Sequence, residues 1–294
     1  MSEHTLLGAH PAAPALHEAP EPGRRFLFSP WHLVLLPAAL LMVLPLVWMV
    51  VTSLETTKET QHYPPVLVPQ HVQAGNYSWV LQQAPFGRWF LNTLVVTTVV
   101  VLGNLLLCSL AAYAFARIRF FGRGPVFILI LVTLMIPFQV VMIPTFLIVK
   151  HLGLIDSLWA LVIPNLVGPF GIFLLRQFFR SLPVELEEAA RIDGASRLGI
   201  LFKIVLPLSG PVLATLAVVQ FMWTWNDFLW PLIVINSEKH MTLQLGLLTF
   251  QGAHQTNVAA LMAANVMSMV PVLLLFFLAQ RYFIRGIATT GLKG

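Results

Sequence analysis

The stretch that decides the fold is residues 176–203, RQFFRSLPVELEEAARIDGASRLGILFK, the one dense patch of charge in the chain. Its first part, Ser181 to Arg191, reads as a short helix. Pro183 is tolerated in a first turn, and three glutamates near the N-terminus suit the helix dipole. Glu187 and Arg191 stand at i, i+4 in the favourable order. Leu182, Leu186 and the pair Ala189-Ala190 recur on one face. Gly194 falls where a helix C-terminus wants a positive φ. Asp193 or Ser196 then caps a second short helix carrying Leu198, Leu201, Phe202 and Val205 at helical spacing. Pro207 marks the entry into the apolar run that follows. The pattern is helix, tight turn, helix. Composition alone reads it equally well as an amphipathic loop lying on a surface.

Outward from this patch the chain is almost uncharged. Of 294 residues, 17 are Lys or Arg and 12 are Asp or Glu; 57% are hydrophobic and 10% charged. The mean hydropathy is +0.81. A soluble domain is about one quarter charged, and disorder needs low hydrophobicity, so both classes are excluded. Six long, predominantly apolar intervals hold no Asp, Glu, Lys or Arg: 26–54, 89–116, 124–149, 157–175, 204–226 and 240–280. A helix crossing hydrocarbon needs about 20 residues, and each interval holds one, the last at about 258–280. Segment 127–149 carries sixteen Leu, Ile, Phe or Val residues. They favour insertion by roughly 5 to 10 kcal/mol, which Gln139 and two prolines do not reverse. The expected fold is an all-α, multi-pass membrane bundle of six transmembrane helices.

Lys and Arg set its orientation. With the N-terminus in the cytoplasm, thirteen fall on the cytoplasmic side and four (Lys58, Arg88, Lys150 and Lys239) on the other. Both termini are therefore expected inside, in the inner membrane of a bacterial-type cell, and the 176–203 patch is expected to face the cytoplasm. The first span is too long for a signal-peptide core and lacks a cleavage site. Trp31, Trp48, Trp89, Trp159 and Trp230 lie near span ends, as in an aromatic belt. The expected organisation is a flexible tail over 1–30, the first helix and outer loop over 31–88, a transmembrane domain over 89–285 and a tail over 286–294.

Several chemistries are absent from the sequence. There is no G-x-x-x-x-G-K-[ST] loop, no H-E-x-x-H zinc site, no G-x-S-x-G elbow and no pair of intramembrane aspartates. The single cysteine, Cys108, fits no metal or redox spacing. The chain is expected to be a non-enzyme without a cofactor of its own, and its scattered basic residues indicate no nucleic-acid partner. Ion-coupled carriers usually bear ionisable residues inside their spans, and none stands near the middle of these six. A solute pathway without an energy source of its own is the consequence. The alternative is a self-sufficient secondary carrier or channel for a small polar solute.

The spacing of the charged patch goes further. Glu188-Ala189-Ala190, three residues, Gly194, nine residues, then Ile204-x-Leu206-Pro207 fits E-A-A-x-x-x-G-x9-I-x-L-P. On these residues the chain resembles the permease subunits of binding-protein-dependent ABC importers. The strings Glu188 to Ser196 and Trp223 to Pro231, and the ending Arg281 to Gly294, are similar to the smaller permease of the maltose-type, carbohydrate-uptake branch.

That resemblance implies a type I importer permease (MetI-like) fold with cytoplasmic coupling helices in the loop 176–207. It implies a second six-span permease, two ATPase subunits that bind the ATP and Mg, and an extracytoplasmic solute-binding protein, all within membrane lipid. It gives Glu188, Ala189, Ala190, Arg191, Asp193, Gly194, Leu206 and Pro207 a coupling role, and Gly291, Lys293 and Gly294 a contact between the ATPases. Trp225 and Asn226, near the outer end of the fifth span, are candidates for the substrate path. They read equally as a belt residue and a helix-ending amide. The solute is expected to be a sugar, polyol or glycerol phosphate.

Overall fold

A computed structural model describes residues 31–64, 68–251 and 257–290, with the backbone alone over 281–290. Every regular element in these residues is helical. The chain divides into two compact units, one ending at Leu46 and the other starting at Val47. The first contains most of α1 (His32–Ser53), a helix apolar on all sides. Leu33, Leu40, Leu41 and Met42 are each at least 70% exposed, as a helix facing lipid requires. Pro37 and Pro45 sit inside this helix.

The second unit holds the other helices. Short α2 (Thr57–Thr60) and α3 (Gly75–Gln83) precede α4 (Phe86–Arg117), the axis of the unit. Three buried clusters line up along α4: Phe86 and Trp89 at its start, Val96 and Val100 in the middle, Cys108 and Ala112 towards its end. Then come α5 (Arg123–Thr133), α6 (Phe138–His151), α7 (Leu158–Val162) and α8 (Pro169–Ser181). The cytoplasmic-loop candidates form α9 (Glu185–Ile192), α10 (Arg197–Ile200) and α11 (Leu206–Leu208). The chain continues through α12 (Gly210–Trp225), α13 (Leu229–Val234), α14 (Leu243–Gly246) and α15 (Val258–Thr290).

Four stretches are long and apolar enough to cross a membrane: His32–Ser53, Phe86–Arg117, Leu158–Ser181 and Val258–Gln280. Two bent pairs make the number six if each counts as one span. The expected single helix over 124–149 is instead α5 and α6, bent by 103°. Pro137 causes the break: it has no N–H to donate and drives its neighbour out of the helical region. The fifth span is likewise divided, with Arg197–Leu208 and α12 meeting at 82° around Ser209, before Gly210 and Pro211.

Close helix contact depends on small residues, as is usual in lipid, where apolar surface alone does not drive association. A Cβ on Gly171 of α8 would lie 2.9 Å from Cys108 Sγ on α4, and one on Gly103 would run into the Leu166 side chain. Ala259, Ala260, Ala263 and Ala264 give α15 a fully buried small face.

Two expectations, the tryptophan belt and the start of the C-terminal tail, are corrected. Trp89 and Trp230 are buried core anchors, whose indole N–H groups donate to Glu238 O and Ala160 O; only Trp31, Trp48 and Trp159 of the five are open to lipid. The connection after α12 is packed structure, with Leu243, Leu247 and Phe250 buried and Gly246 pressed on the Trp89 ring. Of the tail expected over 286–294, the residues up to Thr290 are helical, because α15 runs that far. One glycine costs about 1 kcal/mol, too little to stop a long helix already propagating. Residues 1–30 and Gly291, Lys293 and Gly294 lie outside the described residues.

Candidate coupling surface and solute cavity

The loop of residues 176–207 is two helices joined by a glycine turn, as its spacing predicts. α9 starts at Glu185, two residues after Pro183, which lies outside it. At its C-terminus Gly194 has φ +80°. Ala195 N–H donates to Ala190 O at 2.9 Å and Gly194 N–H to Arg191 O at 3.0 Å. This is a Schellman closure, which needs a left-handed residue at the glycine position. Of the two candidate caps, Ser196 is the one used: its hydroxyl oxygen accepts from Gly199 N–H at 3.1 Å. The chain then passes through a π-helical stretch, Leu201–Val205, to Leu206 and Pro207.

The glutamate that anchors α9 is Glu187. It is 2% exposed, and its Oε1 stands 2.6 Å from Arg117 Nε, an ion pair whose N–H is not aimed at the oxygen. The Tyr113 hydroxyl donates to Oε2 at 3.1 Å. Arg191 reaches the same carboxylate at 3.8 Å, the pair expected from its i, i+4 spacing. Arg117 also donates to Leu182 O at 2.7 Å. The last turn of α4 is therefore bonded to both ends of the segment that begins α9. Two further arginines tie the neighbouring ends of α4, α5 and α8 together. Arg176 Nε donates to Phe115 O and its guanidinium lies 3.8 Å over the Phe127 ring, and Arg123 donates to Ile118 O.

The face opposite Glu187 is open. Glu188, Ala189 and Asp193 are exposed, together with Leu186, Ile192 at 88% and Leu198 at 59%. Among the described residues Glu188 has no ion-pair partner. Ala190 is buried against the bundle. Ala189 and Ala190 thus point to different surroundings, and the apolar face expected from Leu182, Leu186 and the alanine pair is only partly turned inward. Beside it lies a recess of about 460 Å³ bordered by five arginines (Arg117, Arg119, Arg123, Arg191 and Arg197) and by Glu187 and Glu188. This end of the bundle presents an acidic and apolar ridge next to a basic hollow, suited to docking a polar protein surface.

A second cavity, of about 640 Å³, lies among α4, α6, α8, α12 and α13. Amides of Asn104, Asn165 and Gln220, hydroxyls of Thr145 and Thr224, and the carboxylate of Asp227 face it along with Phe138, Trp223 and Trp230. The candidates Trp225 and Asn226 are not among its lining residues. Trp225 is 1% exposed, stacks at 5.3 Å on Phe221, and donates to Ser268 O, holding α12 to α15. Asn226 is exposed and its amide donates to Met222 O, closing the helix end. The rotation of 100° per residue puts neighbouring positions on different faces. Both candidates thus lie on faces of this segment that turn away from the cavity. Trp223 and Asp227 sit at i, i+4, and Gln220 precedes Trp223 by three, so the periodicity of the string itself carried that signal.

Residues 104–289 match the family described as binding-protein-dependent transport system inner membrane component. The chain is 39% identical to an arabinooligosaccharides transport system permease protein of Halalkalibacterium halodurans, covering 87% of this chain and 93% of that protein. It is 36% identical to an sn-glycerol-3-phosphate transport system permease protein of Pectobacterium atrosepticum, over 87% and 94%. Among solved structures it is similar to a chain of a bacterial ABC transporter involved in the import of the acidic polysaccharide alginate. There the TM-score is 0.78 and the identity 27%, with coverage of 87% of this chain and 99% of that one.

Proposed function

The chain belongs to the family of binding-protein-dependent transport system inner membrane components, and from that premise we propose that it forms half of the translocation pathway of an ATP-driven importer for a sugar, polyol or glycerol-phosphate solute. A second six-span permease supplies the other half. Two ATPase subunits in the cytoplasm bind the ATP and Mg, and an extracytoplasmic binding protein delivers the solute. Both termini of this chain lie in the cytoplasm. The chain itself catalyses no reaction.

The observation that carries this reading is the division of labour in α9. Glu187 fastens the helix to the bundle, while Glu188 stands exposed on a ridge with no ion-pair partner among the described residues. A helix held rigidly on one side and open on the other transmits a push from a docked subunit to α4. Ala189, Asp193 and the Gly194 turn let a partner approach closely, and Leu206-Pro207 carries the motion towards α12.

The experiment is solute uptake and binding-protein-stimulated ATP hydrolysis by reconstituted complexes, together with the amount of ATPase retained on purification. Glu188→Ala is expected to lower retention and uptake several-fold, as for a partly exposed charge pair. Wild-type rates with full retention would remove α9 from coupling. Uptake by the chain alone without ATP would establish the secondary-carrier alternative.

A further inference from the structure

The cavity beside α12 contains a single ionisable group. Asp227 lies between α12 and α13, and its Oδ1 accepts a long bond of 3.4 Å from Trp230 N–H in the first turn of α13. Among the described residues no Lys, Arg or His lines the cavity. Among the described residues Asp227 takes part in no ion pair. Around it the chemistry is that of a carbohydrate site: amides of Asn104, Asn165 and Gln220, and the half-exposed indole of Trp223. Its volume lies within the range of small-molecule sites.

We propose that this cavity binds uncharged polyhydroxylated solutes and that Asp227 is its specificity-determining residue, accepting solute hydroxyls and rejecting carboxylated or phosphorylated solutes. The proposal rests on the importer reading above. Amides donate and accept, so they match hydroxyls of either polarity. A carboxylate only accepts, and its bonds to hydroxyls are charge-assisted and short. For an anion the same carboxylate works in reverse. The cavity offers no cation, so a solute carboxylate gives up water and meets a like charge. At an effective dielectric of about 20, two like charges within about 12 Å repel enough for roughly tenfold in affinity. Specificity is then set by what the site repels as much as by what it bonds. The relatives named above for a neutral oligosaccharide and for a phosphate ester share this scaffold, so solute charge has to be read by individual residues.

The test uses the assembled complex of both permeases and both ATPases without its binding protein, which removes that protein's own selectivity. Quenching of tryptophan fluorescence, with Trp223→Phe as control, reports occupancy of the cavity. Arabinotriose is the neutral probe and an alginate trisaccharide the acidic one. We expect the wild-type complex to favour arabinotriose by about tenfold or more. Asp227→Asn should bring the two probes within about threefold of each other, through a several-fold loss for arabinotriose, whose charge-assisted bonds are gone, and a gain for the alginate trisaccharide. Equal binding of both probes by wild type, binding of neither, or a preference unchanged in Asp227→Asn would each overturn the proposal. Uptake driven by the binding protein, measured in parallel, tests the importer reading separately. If that uptake occurs while the preference is absent, only the role of Asp227 fails.

Discussion

Arg117 at the end of α4 and Glu187 in α9 form a buried ion pair at 2.6 Å, joining residues seventy positions apart. Arg117 is 10% exposed and Glu187 2%, so both charges are largely out of water. Such a pair adds little net stability over well-packed apolar groups, but losing one partner leaves the other stranded. Its value here is registration: it fixes which way α9 faces.

Arg117→Ala is therefore expected to destabilise the purified complex by about 3–5 kcal/mol, and Glu187→Ala by a similar amount. The double variant Arg117→Met with Glu187→Leu should recover most of that loss, because no charge stays buried. Thermal unfolding of the detergent-solubilised complex measures stability. ATPase retention measures registration, and it should stay low in the double variant although stability returns. Full retention there would show that apolar packing alone orients α9.

At Gly194 the cost of substitution is in the backbone, not in space, since a Cβ there meets nothing within 4 Å and φ is +80°. Gly194→Asn should be nearly tolerated and Gly194→Ala should cost about 1–2 kcal/mol, with Gly194→Val worse still. The order Gly, Asn, Ala, Val in uptake rate checks this. An order following side-chain volume, with Asn below Ala, would place a partner surface against the turn instead.

The membrane class, four of the spans and the Gly194 turn were legible because each rests on local pattern: apolar length and a glycine at a helix end. Glu187 was visible only as an i, i+4 partner of Arg191. Its main partner, Arg117, comes from a helix distant in sequence, and nothing local marks that pairing. The bend at Pro137 is a matter of degree: a proline marks a weak point, while packing decides whether the helix kinks or folds back. Trp89 and Trp230 misled for a related reason. A tryptophan at a span end has the same local signature whether it faces lipid or anchors a core, and tertiary contacts alone separate the two. In the Trp223–Pro231 string the relevant face was readable from helical period, but which face points to the cavity depends on α4 and α6.

Gly171 tests the packing of α8 on α4. A methyl group there would lie 2.9 Å from Cys108 Sγ and 3.1 Å from Asn104 Oδ1. Gly171→Ala should cost about 1–3 kcal/mol through overpacking. Cys108→Ala, which removes the nearest atom, should relieve part of it when combined, although the Cys108 Cβ at 3.2 Å remains. Coupling between the two substitutions in unfolding measurements checks the contact; strict additivity would mean that the helices simply separate.

The last prediction concerns Asp156, in the turn between α6 and α7. It has φ +57°, and its Oδ1 collects three donors: Ser237 N–H at 2.9 Å, Asn236 N–H at 3.0 Å and the Ser237 hydroxyl at 2.9 Å. His240 Nδ1 stands 3.6 Å away. These bonds, the Ser237 N–H foremost, hold the carboxyl down to about 2. The ordinary value in an unfolded chain is about 3.9. A lowered folded value means the ionised form is the one folding favours. Its contribution is complete above about pH 5 and is lost as pH falls towards about 2. Asp156→Asn keeps an acceptor and tolerates the left-handed backbone, so it isolates the charge; at pH 7 it should cost on the order of 1 kcal/mol, reduced by solvent screening. The stability gap between wild type and Asp156→Asn should narrow as the pH of the purified complex is lowered below about 5. Asp156→Ala, which loses the acceptor and strains the backbone, should stay less stable than both at every pH. A gap that widens with acidification would mean that the protonated carboxyl, not the carboxylate, is the form the turn holds.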